Sequence, residues 1–277
     1  MQNESLSDII IIEEHTVQLD AGQRINAYDY LPGKLVTIPS RKGVKKAFKR
    51  QQLYKGDTRI TERTLLLNND FVTVYEYKGA VSKVYRRSLN VCFEDDFLAI
   101  IEKPSGLLTS GNQWKTLQNA LPYNIQRSPQ KDALSCPLTV HRLDAKTHGV
   151  VVIAKTMRSR IVLGEMFAQG NLKKEYKAFV KGEMKGEGVI ETQIDGKRAT
   201  THFSVVDHFE HVKDGMNSVV MLRPHTGRKH QLRKQLSGLG HPIIGDVKYT
   251  ESGEVLKGKG LFLCATSIAF EHPFTGK

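Results

Sequence analysis

The stretch THGVVVIAKTMRSRIVLGEMFAQG, residues 147–170, combines two different secondary-structure signals in succession. Residues 149–156 are rich in β-branched side chains, which favour an extended strand. The segment 157–170 favours a helix that ends at Gly170, because glycine readily adopts the left-handed conformation that closes many helices. The stretch therefore predicts a strand followed directly by a helix.

Further strands are predicted on both sides of this pair. Apolar and polar residues alternate in 173–182, 201–210 and 218–224, and an apolar run at 97–101 precedes the pair. A helix-like segment lies at 226–240. Because strands outnumber helices and hairpin signals are frequent, we predict an α+β fold around a mixed, largely antiparallel sheet.

Composition narrows the class of protein and its compartment. The chain has 277 residues, of which 39% are hydrophobic and 25% charged, as is ordinary for a soluble globular protein. It lacks the ~18 to 20 consecutive apolar residues of a membrane span, and its first residues do not resemble a signal peptide. The three cysteines, Cys92, Cys136 and Cys264, are far apart, which favours a reducing compartment. We expect a cytoplasmic protein that makes no membrane contact.

Positive charge is concentrated near the start of the chain. The net charge is +12, which favours a polyanionic partner. Residues 1–30 carry six acidic side chains and one basic one, whereas residues 40–63 carry nine basic side chains and two acidic ones. The expected partner is a nucleic acid, and contact with it is predicted within 40–63.

The segment SRKGVKKAFKRQQL, residues 40–53, predicts a basic amphipathic helix. Ser40 is a good N-cap residue, and Val44, Ala47 and Phe48 cluster on one side at 100° per residue. The opposite side carries no acidic residue for pairing, so phosphate binding is favoured over a merely solvated lysine face. The predicted RNA-contacting residues are Arg41, Lys42, Lys45, Lys46, Lys49 and Arg50.

Two segments flank this helix: VQLDAGQRINAYDYL, 17–31, precedes it and the strand-like FVTVYEYK, 71–78, follows it. Together with the helix they resemble the S4 RNA-binding domain. The usual Asn-Gly turn is replaced by Lys55-Gly56-Asp57. The resemblance implies a small α/β S4-like module, and the predicted division of the chain is an N-terminal segment 1–15, the module 16–78, a linker 79–90 and a larger domain 91–277.

Asp144 ends the sequence His-Arg-Leu-Asp, immediately before the β-branched strand. Taken alone, it is explained by an Asx turn. The later segment 222–236 carries five basic side chains and no acidic one. In a cleft it would bind phosphates, and an arginine from it would keep Asp144 ionised and oriented. The alternative is a solvated amphipathic helix with Leu232 and Leu236 inside.

Five motifs follow one another in residues 91–277: EKPSGLL (102–108), HRLDAKTHGVVVIAKT (141–156), KKEYKAFVKG (173–182), RPHTGRKHQLRKQLSGLGHPIIGD (223–246) and LCATSIAFEHPFTGK (263–277). In their order and approximate spacings they resemble the RluA-type pseudouridine synthases. The resemblance implies the pseudouridine synthase fold, no cofactor, a monomer, and isomerisation of specific uridines in structured RNA. Ribosomal RNA is favoured over transfer RNA as the substrate. The family usually continues some residues beyond HPFTGK, so the resemblance implies a chain that is either short or trimmed at its carboxyl end.

By position, the resemblance makes Asp144 the catalytic aspartate and Arg142 the base-flipping arginine. Tyr176 corresponds to the tyrosine that stacks on the target base, although a core tyrosine of the sheet is the alternative. One departure is His148, where the family has serine or threonine. The predicted substrate-binding residues are Arg142, Tyr176, Leu232, Arg233, Lys103 and Arg228, with Arg233 as the partner of Asp144.

The reaction fits these residue types. It breaks the N1–C1′ bond, turns the base and joins C5 to C1′, so one carboxylate suffices, as a nucleophile at sugar or base or as a general base. Extruding the uracil costs a few kcal/mol, and an aromatic platform supplies about 1 to 3 kcal/mol of it.

Three other function classes compete with this interpretation. A metal hydrolase would use His225, His230 and His241, but the first two lie about 140° apart around a helix, and no CxxC or HExxH motif is present. We therefore predict no metal site. A serine hydrolase lacks its G-x-S-x-G motif. A non-catalytic RNA-binding protein of the same fold is the strongest rival, and the joint presence of Asp144, Tyr176 and Arg233 argues against it.

Overall fold

The computed structural model describes residues 9–77, 84–211, 215–250 and 260–276. The chain forms two compact units, residues 1–82 and 83–277. None of the helices in these described ranges is long and apolar enough to cross a membrane.

The amino-terminal unit is a small sheet with one regular amphipathic helix. The sheet order is β1-β6-β3-β4, and β2 pairs separately with β5. The helix α2 begins after Ser40, whose hydroxyl accepts from the Gly43 N–H at 3.0 Å, and Val44, Ala47 and Phe48 are buried as its periodicity predicts. The elements are β1 (Ile9–Thr16), β2 (Ile25–Asn26), α1 (Ala27–Tyr30), α2 (Arg41–Lys49), β3 (Leu53–Lys55), β4 (Thr58–Arg59), β5 (Leu65–Leu66) and β6 (Phe71–Tyr77).

The division differs from the predicted one in two respects: residues 9–15 join the sheet of this unit, and residues 84–90 of the predicted linker fall in the carboxy-terminal unit. β1 pairs antiparallel with β6 along its length. Residues 9–15, predicted as a separate segment, therefore belong to the sheet of this unit. Of the predicted linker 79–90, residues 79–83 lie outside the described ranges, 84–89 form no helix or strand, and the next strand begins at Asn90.

The carboxy-terminal unit is built on a nine-stranded sheet. Its main path is β12-β13-β14-β11-β15-β10-β8-β7, and β9 pairs with β10. The pairing is antiparallel except between β10 and β15, which confirms the predicted largely antiparallel sheet. The elements are β7 (Asn90–Glu94), β8 (Leu98–Lys103), α3 (Leu117–Asn124), β9 (Ala133–Thr139), β10 (His148–Thr156), α4 (Met157–Gln169), β11 (Lys173–Lys181), β12 (Glu187–Ile194), β13 (Lys197–His211), β14 (Gly215–Pro224), α5 (Gln231–Gly238) and β15 (Leu263–Ala269).

The strand and helix predicted from residues 147–170 are β10 and α4. Thr156 caps α4 by accepting from the Ser159 N–H at 3.1 Å, and Gly170 closes it in the left-handed conformation with φ 77°. Residues 150–156 are almost wholly buried, because β10 lies between other strands of the sheet. This buried strand starts directly after the loop that carries Asp144.

Gly149 allows β10 and β15 to approach at the start of their parallel pairing. Its φ is +122°, and a Cβ built on it would lie 2.2 Å from the Ala265 carbonyl oxygen. Only glycine fits this position without moving the β15 backbone. The close approach brings β10 next to β15, and β15 in turn pairs with β11, which carries Tyr176.

Candidate active site

Asp144 lies in the loop between β9 and β10, and side chains that follow β8 hold this loop. The Thr109 hydroxyl donates to the Leu143 carbonyl at 2.8 Å and accepts from the Leu143 N–H at 3.1 Å. The Ser105 hydroxyl donates to the Lys146 carbonyl at 2.7 Å. The backbone is therefore fixed on both sides of Asp144.

Lys103, at the end of β8, is completely buried. Its ammonium donates to the carbonyls of Pro104, Leu107 and Ala145 at 3.0, 2.8 and 3.1 Å. Burial lowers the pKa of Lys103 to about 8, partly opposed by the charge of Asp144. Lys103 does not line the pocket beside Asp144, so the predicted contact with substrate does not match its placement; it holds the loop instead.

Arg233, on α5, meets two carboxylates. Its Nε and Nη2 donate to Asp246 at 2.6 and 2.8 Å, and its Nη1 lies 3.3 Å from Asp144 Oδ2. Arg233 is 6% exposed and Asp246 2% exposed. Burial alone would raise the pKa of Asp246, but the hydrogen bonds from Arg233 and nearby backbone N–H groups hold it below its ordinary value. Asp246 thus orients Arg233 toward Asp144.

His230 occupies the N-cap position of α5, and its ring faces the other oxygen of Asp144. Its Nε2 lies 3.7 Å from Asp144 Oδ1, and its Nδ1 lies 2.8 Å from the Tyr249 hydroxyl. Burial lowers the pKa of His230; the charge of Asp144 raises it, and the neighbouring cations lower it further. Within the part of the chain that the structure describes, the polar contacts of the Asp144 carboxylate are these two side chains. This arrangement differs from an Asx turn.

These groups open into a pocket of about 460 Å³. Tyr176 of β11 and Leu232 of α5 line the pocket together with Asp144 and Arg233. Tyr176 also packs against both apolar cores of the unit. Burial, and secondly the charge of Asp144, raises the pKa of Tyr176 to about 12, so its hydroxyl stays protonated at neutral pH. The pocket therefore combines a carboxylate, an aromatic ring and a guanidinium.

The other two predicted arginines also line the pocket. Arg142 is exposed, and it forms no ion pair within the described residues. Arg228 is held by a hydrogen bond from its Nε to the Arg198 carbonyl at 3.1 Å. Of the predicted substrate-binding residues, the structure brings Arg142, Tyr176, Leu232, Arg233 and Arg228 to one pocket with Asp144 and places Lys103 behind it.

His148, the departure from the family pattern, faces away from this pocket. Its Nε2 lies 3.2 Å from Glu102 Oε1, and its Nδ1 lies 3.5 Å from the Cys264 Sγ. The neighbouring Thr147 lines the pocket, but His148 does not. The substitution therefore alters the β8–β10–β15 surface rather than the surroundings of Asp144.

The three histidines considered as metal ligands have separate partners. The His225 ring lies 4.7 Å from the His202 ring at a tilt of 53°, His230 faces Asp144, and His241 bonds the Lys181 carbonyl at 2.9 Å. The described ranges contain no group of three or more His, Cys, Asp or Glu side chains placed to bind a metal ion.

A second, separate feature is the basic face of α2 in the amino-terminal unit. Its six predicted RNA-contacting residues are all exposed. Arg41 also lies 3.6 Å from Asp29 and 5.4 Å from the Tyr28 ring. A groove of about 900 Å³ runs beside the helix, and its basic lining residues are Lys42, Lys45, Lys46, Lys49 and Arg59.

Residues 97–238 match the family model described as RNA pseudouridylate synthase. This interval is just over half of the 277 residues and contains Asp144, Tyr176 and Arg233. The chain belongs to this family. The match, together with the relatives below, confirms the resemblance of the motifs to RluA-type enzymes and the predicted activity, that of an RNA pseudouridine synthase, an isomerase.

Relatives of this pseudouridine synthase align with most of its length. The ribosomal large subunit pseudouridine synthase C of Yersinia pestis is 30% identical, with 96% of this chain and 90% of the relative covered. The ribosomal large subunit pseudouridine synthase D of Vibrio cholerae is 30% identical, with 92% and 86% covered. An uncharacterized RNA pseudouridine synthase of Aquifex aeolicus is 34% identical, with 68% and 67% covered.

Solved structures confirm the fold of the synthase. Human RNA pseudouridylate synthase domain containing 1 superposes with a TM-score of 0.56 at 23% identity, covering 69% of this chain and 79% of the human chain. Human RNA pseudouridylate synthase domain containing 4 gives a TM-score of 0.51 at 24% identity, covering 65% and 84%. At these identities the comparison concerns the fold alone.

Three residues of the site were not predicted from the sequence as site residues. Asp246 is the last residue of the motif 223–246, and Tyr249 lies three residues after it. His230 was considered only as a candidate metal ligand. The signal that could have found Asp246 is its position as the first acidic residue after the basic run. Tyr249 carries no comparable local signal.

Proposed function

We propose that this synthase isomerises specific uridines of ribosomal RNA and that Asp144 is its reactive carboxylate. The observation that carries the proposal is the placement of Asp144 at the pocket with Arg233 Nη1 3.3 Å from its Oδ2. A guanidinium at this distance holds the carboxylate by a charge-assisted contact and orients it. The ionised form is required for each of the roles considered, which are nucleophile at the sugar, nucleophile at the base, and base for a sugar proton.

The proposed pocket occupant is a uracil turned out of its stack. Unstacking costs a few kcal/mol, and stacking on the Tyr176 ring returns about 1 to 3 kcal/mol. Leu232 supplies an apolar surface in the same pocket. Arg142 is exposed beside Asp144, and this placement suits a side chain that enters the space the base has left.

The proposed RNA class rests on the relatives and on the amino-terminal unit. Relatives named ribosomal large subunit pseudouridine synthases cover more than 90% of this chain. We infer that the unit containing residues 16–78 is an S4-like module and that the exposed lysines of α2 bind phosphates. A structured ribosomal RNA supplies both phosphates for this face and a uridine for the pocket. Transfer RNA is the other class that the assay distinguishes.

The test is tritium release from 5-³H-uridine-labelled RNA, separated into ribosomal and transfer pools. We expect the wild type to release tritium from the ribosomal pool. Asp144→Asn should release none, because the amide cannot attack or accept a proton, and should bind RNA within about twofold of the wild type. Asp132→Asn is the matched control, since Asp132 pairs with Arg158 on an exposed surface. Normal turnover by Asp144→Asn would refute the role of Asp144, and release from the transfer pool alone would refute the RNA class.

The basic face is tested through the salt dependence of RNA binding. Each phosphate contact makes the negative slope of log K against log salt steeper by about 0.7 to 0.9. Replacing the four lysines of α2 by glutamine should therefore reduce the magnitude of that slope by up to about 3. Lys185→Gln is the control, since Lys185 is exposed beside Glu183 in the other unit. An unchanged slope in the quadruple variant would exclude the face from RNA binding.

A further inference from the structure

The side chains behind Asp144 form a closed ring that the roles above do not explain. Arg233 lies 3.3 Å from Oδ2 of Asp144, and His230 Nε2 lies 3.7 Å from Oδ1. His230 Nδ1 is 2.8 Å from the Tyr249 hydroxyl. The Tyr249 ring lies 5.0 Å from the Arg233 guanidinium. The backbone N–H of Tyr249 donates to Asp246 Oδ1 at 3.3 Å. Each oxygen of Asp144 therefore has its own neighbour.

The partners of His230 select one tautomer of its neutral ring. A carboxylate oxygen opposite Nε2 favours the tautomer with the proton on Nε2. Nδ1 is then an acceptor, and the Tyr249 hydroxyl donates to it. Tyr249 is itself fixed by Asp246 and Arg233, so the ring of His230 is oriented by the same pair that orients the guanidinium.

The backbone of His230 supports a functional reason for this placement. Its φ of 55° and ψ of 30° are left-handed, and it is the N-cap of α5 without a side-chain capping bond. A non-glycine residue in this region costs of order 1–3 kcal/mol, and such strain is concentrated at functional sites. A glycine would fit the backbone, but it would leave no ring opposite Asp144.

We propose that His230 is a positioning residue for the Asp144 carboxylate, with Tyr249 holding its neutral ring so that Nε2–H points at Oδ1. The inference rests on the proposed function of Asp144. The 3.7 Å separation exceeds a hydrogen bond, and catalytic hydrogen bonds commonly tighten when substrate is bound. With Oδ2 held by Arg233 and Oδ1 by His230, the carboxylate has one orientation toward the base.

A dependence on pH follows from the charges around the ring. Burial and the charges of Arg233, Lys248 and Lys229 oppose protonation of His230, whereas the charge of Asp144 favours it. The net effect is a lowered pKa of His230. The Tyr249 hydroxyl favours the neutral ring by donating to Nδ1. When pH falls far enough to protonate His230, an imidazolium stands beside Asp144 and weakens its reactivity. We expect the acid limb of kcat to contain this titration.

The test measures kcat and KM for tritium release from pH 5 to 9 in the wild type, in three variants of His230, Tyr249 and His208, and in Asp144→Asn. His230→Gly fits the left-handed backbone and keeps the fold, and we expect kcat to fall about tenfold or more at pH 7.5 with KM within twofold. Its acid limb should lose the titration of the ring, and added imidazole should restore part of kcat. Tyr249→Phe should move the acid limb to higher pH, because the neutral ring loses its donor. His208→Gln is the control, since His208 is exposed and its ring bonds the Met184 carbonyl, away from Asp144.

The outcomes separate the two proposals. An unchanged acid limb and a kcat within twofold of the wild type in His230→Gly would overturn the inference about His230. If Asp144→Asn is inactive in the same assay, the proposed role of Asp144 would still stand. A loss in His230→Gly that imidazole does not reverse and that leaves the pH profile unchanged would also overturn it. Absence of tritium release from any RNA pool by the wild type would instead refute the proposed function.

Discussion

Asp246→Asn tests how much the buried pair behind the active site stabilises the carboxy-terminal unit. The substitution keeps the size of the side chain and removes its charge. Arg233 is 6% exposed and Asp246 2% exposed. The amide offers one acceptor oxygen in place of two, so the guanidinium would lose one of its hydrogen bonds of 2.6 and 2.8 Å, and the charge of its partner, without gaining access to water. Its remaining carboxylate contact would be Asp144 at 3.3 Å. We expect the free energy of unfolding to fall by about 3–5 kcal/mol, as when one partner of a buried pair is removed.

The assay is urea unfolding followed by tryptophan fluorescence. The chain has one tryptophan, Trp114, which lies in the carboxy-terminal unit, so the signal reports the unfolding of that unit. The control is Asp132→Asn, because its pair with Arg158 has side chains 26% and 57% exposed and should contribute less than about 1 kcal/mol. Equal losses in the two variants would show that burial does not set the strength of the Arg233–Asp246 pair.

Two further perturbations test the frame of the site by the same urea assay. Gly149→Ala should lower the free energy of unfolding by at least about 2 kcal/mol, because the added Cβ would lie 2.2 Å from the Ala265 carbonyl oxygen. The control is Gly164→Ala in α4, where nothing lies within 4 Å of the added Cβ. Equal losses at the two positions would contradict the argument. His141 should make stability fall with acid, because burial lowers its pKa to about 3 and only the unfolded state takes up a proton as pH drops below its ordinary pKa of about 6.5. Between pH 7.5 and 5.5 the wild type should lose about 1.4 kcal/mol more than His141→Gln, and equal losses would show that His141 does not titrate as described.

The fold was predictable where local signals agree with tertiary pairing. β10 and α4 carry β-branched residues, a threonine cap and a glycine stop, and they appear where the sequence predicts them. α3 and β9 were not predicted, because each contains a proline, Pro122 and Pro137, which local rules place outside regular structure. In α3 the proline lies near the end of a short helix, and in β9 it lies on a strand with β10 as its one neighbour in the described sheet.

The site is harder to predict than the fold because its parts are distant in sequence. Asp144 and Arg233 are 89 residues apart, and they meet because β10, β15, β11 and β14 are consecutive neighbours in the sheet. No local pattern encodes that order. The family resemblance pointed to Asp144 and Arg233 as a pair. The placement of the His230 ring could not be predicted in this way, because it depends on a left-handed backbone position that sequence rules assign to glycine.

The same topology explains why the carboxylate can be held precisely although it lies on a loop. The loop from Leu143 to Lys146 is bonded by Thr109, Ser105 and Lys103, so its backbone is fixed from the β8 side. The carboxylate is approached from the α5 side by Arg233, which Asp246 orients. A reactive group needs both constraints, because a fixed backbone leaves the side-chain rotamer free and a paired carboxylate on a mobile loop still moves. Replacing Lys103 and replacing Asp246 should therefore each reduce kcat. If the two sides act independently on Asp144, the increase in activation free energy in the double variant should equal the sum of the two single increases.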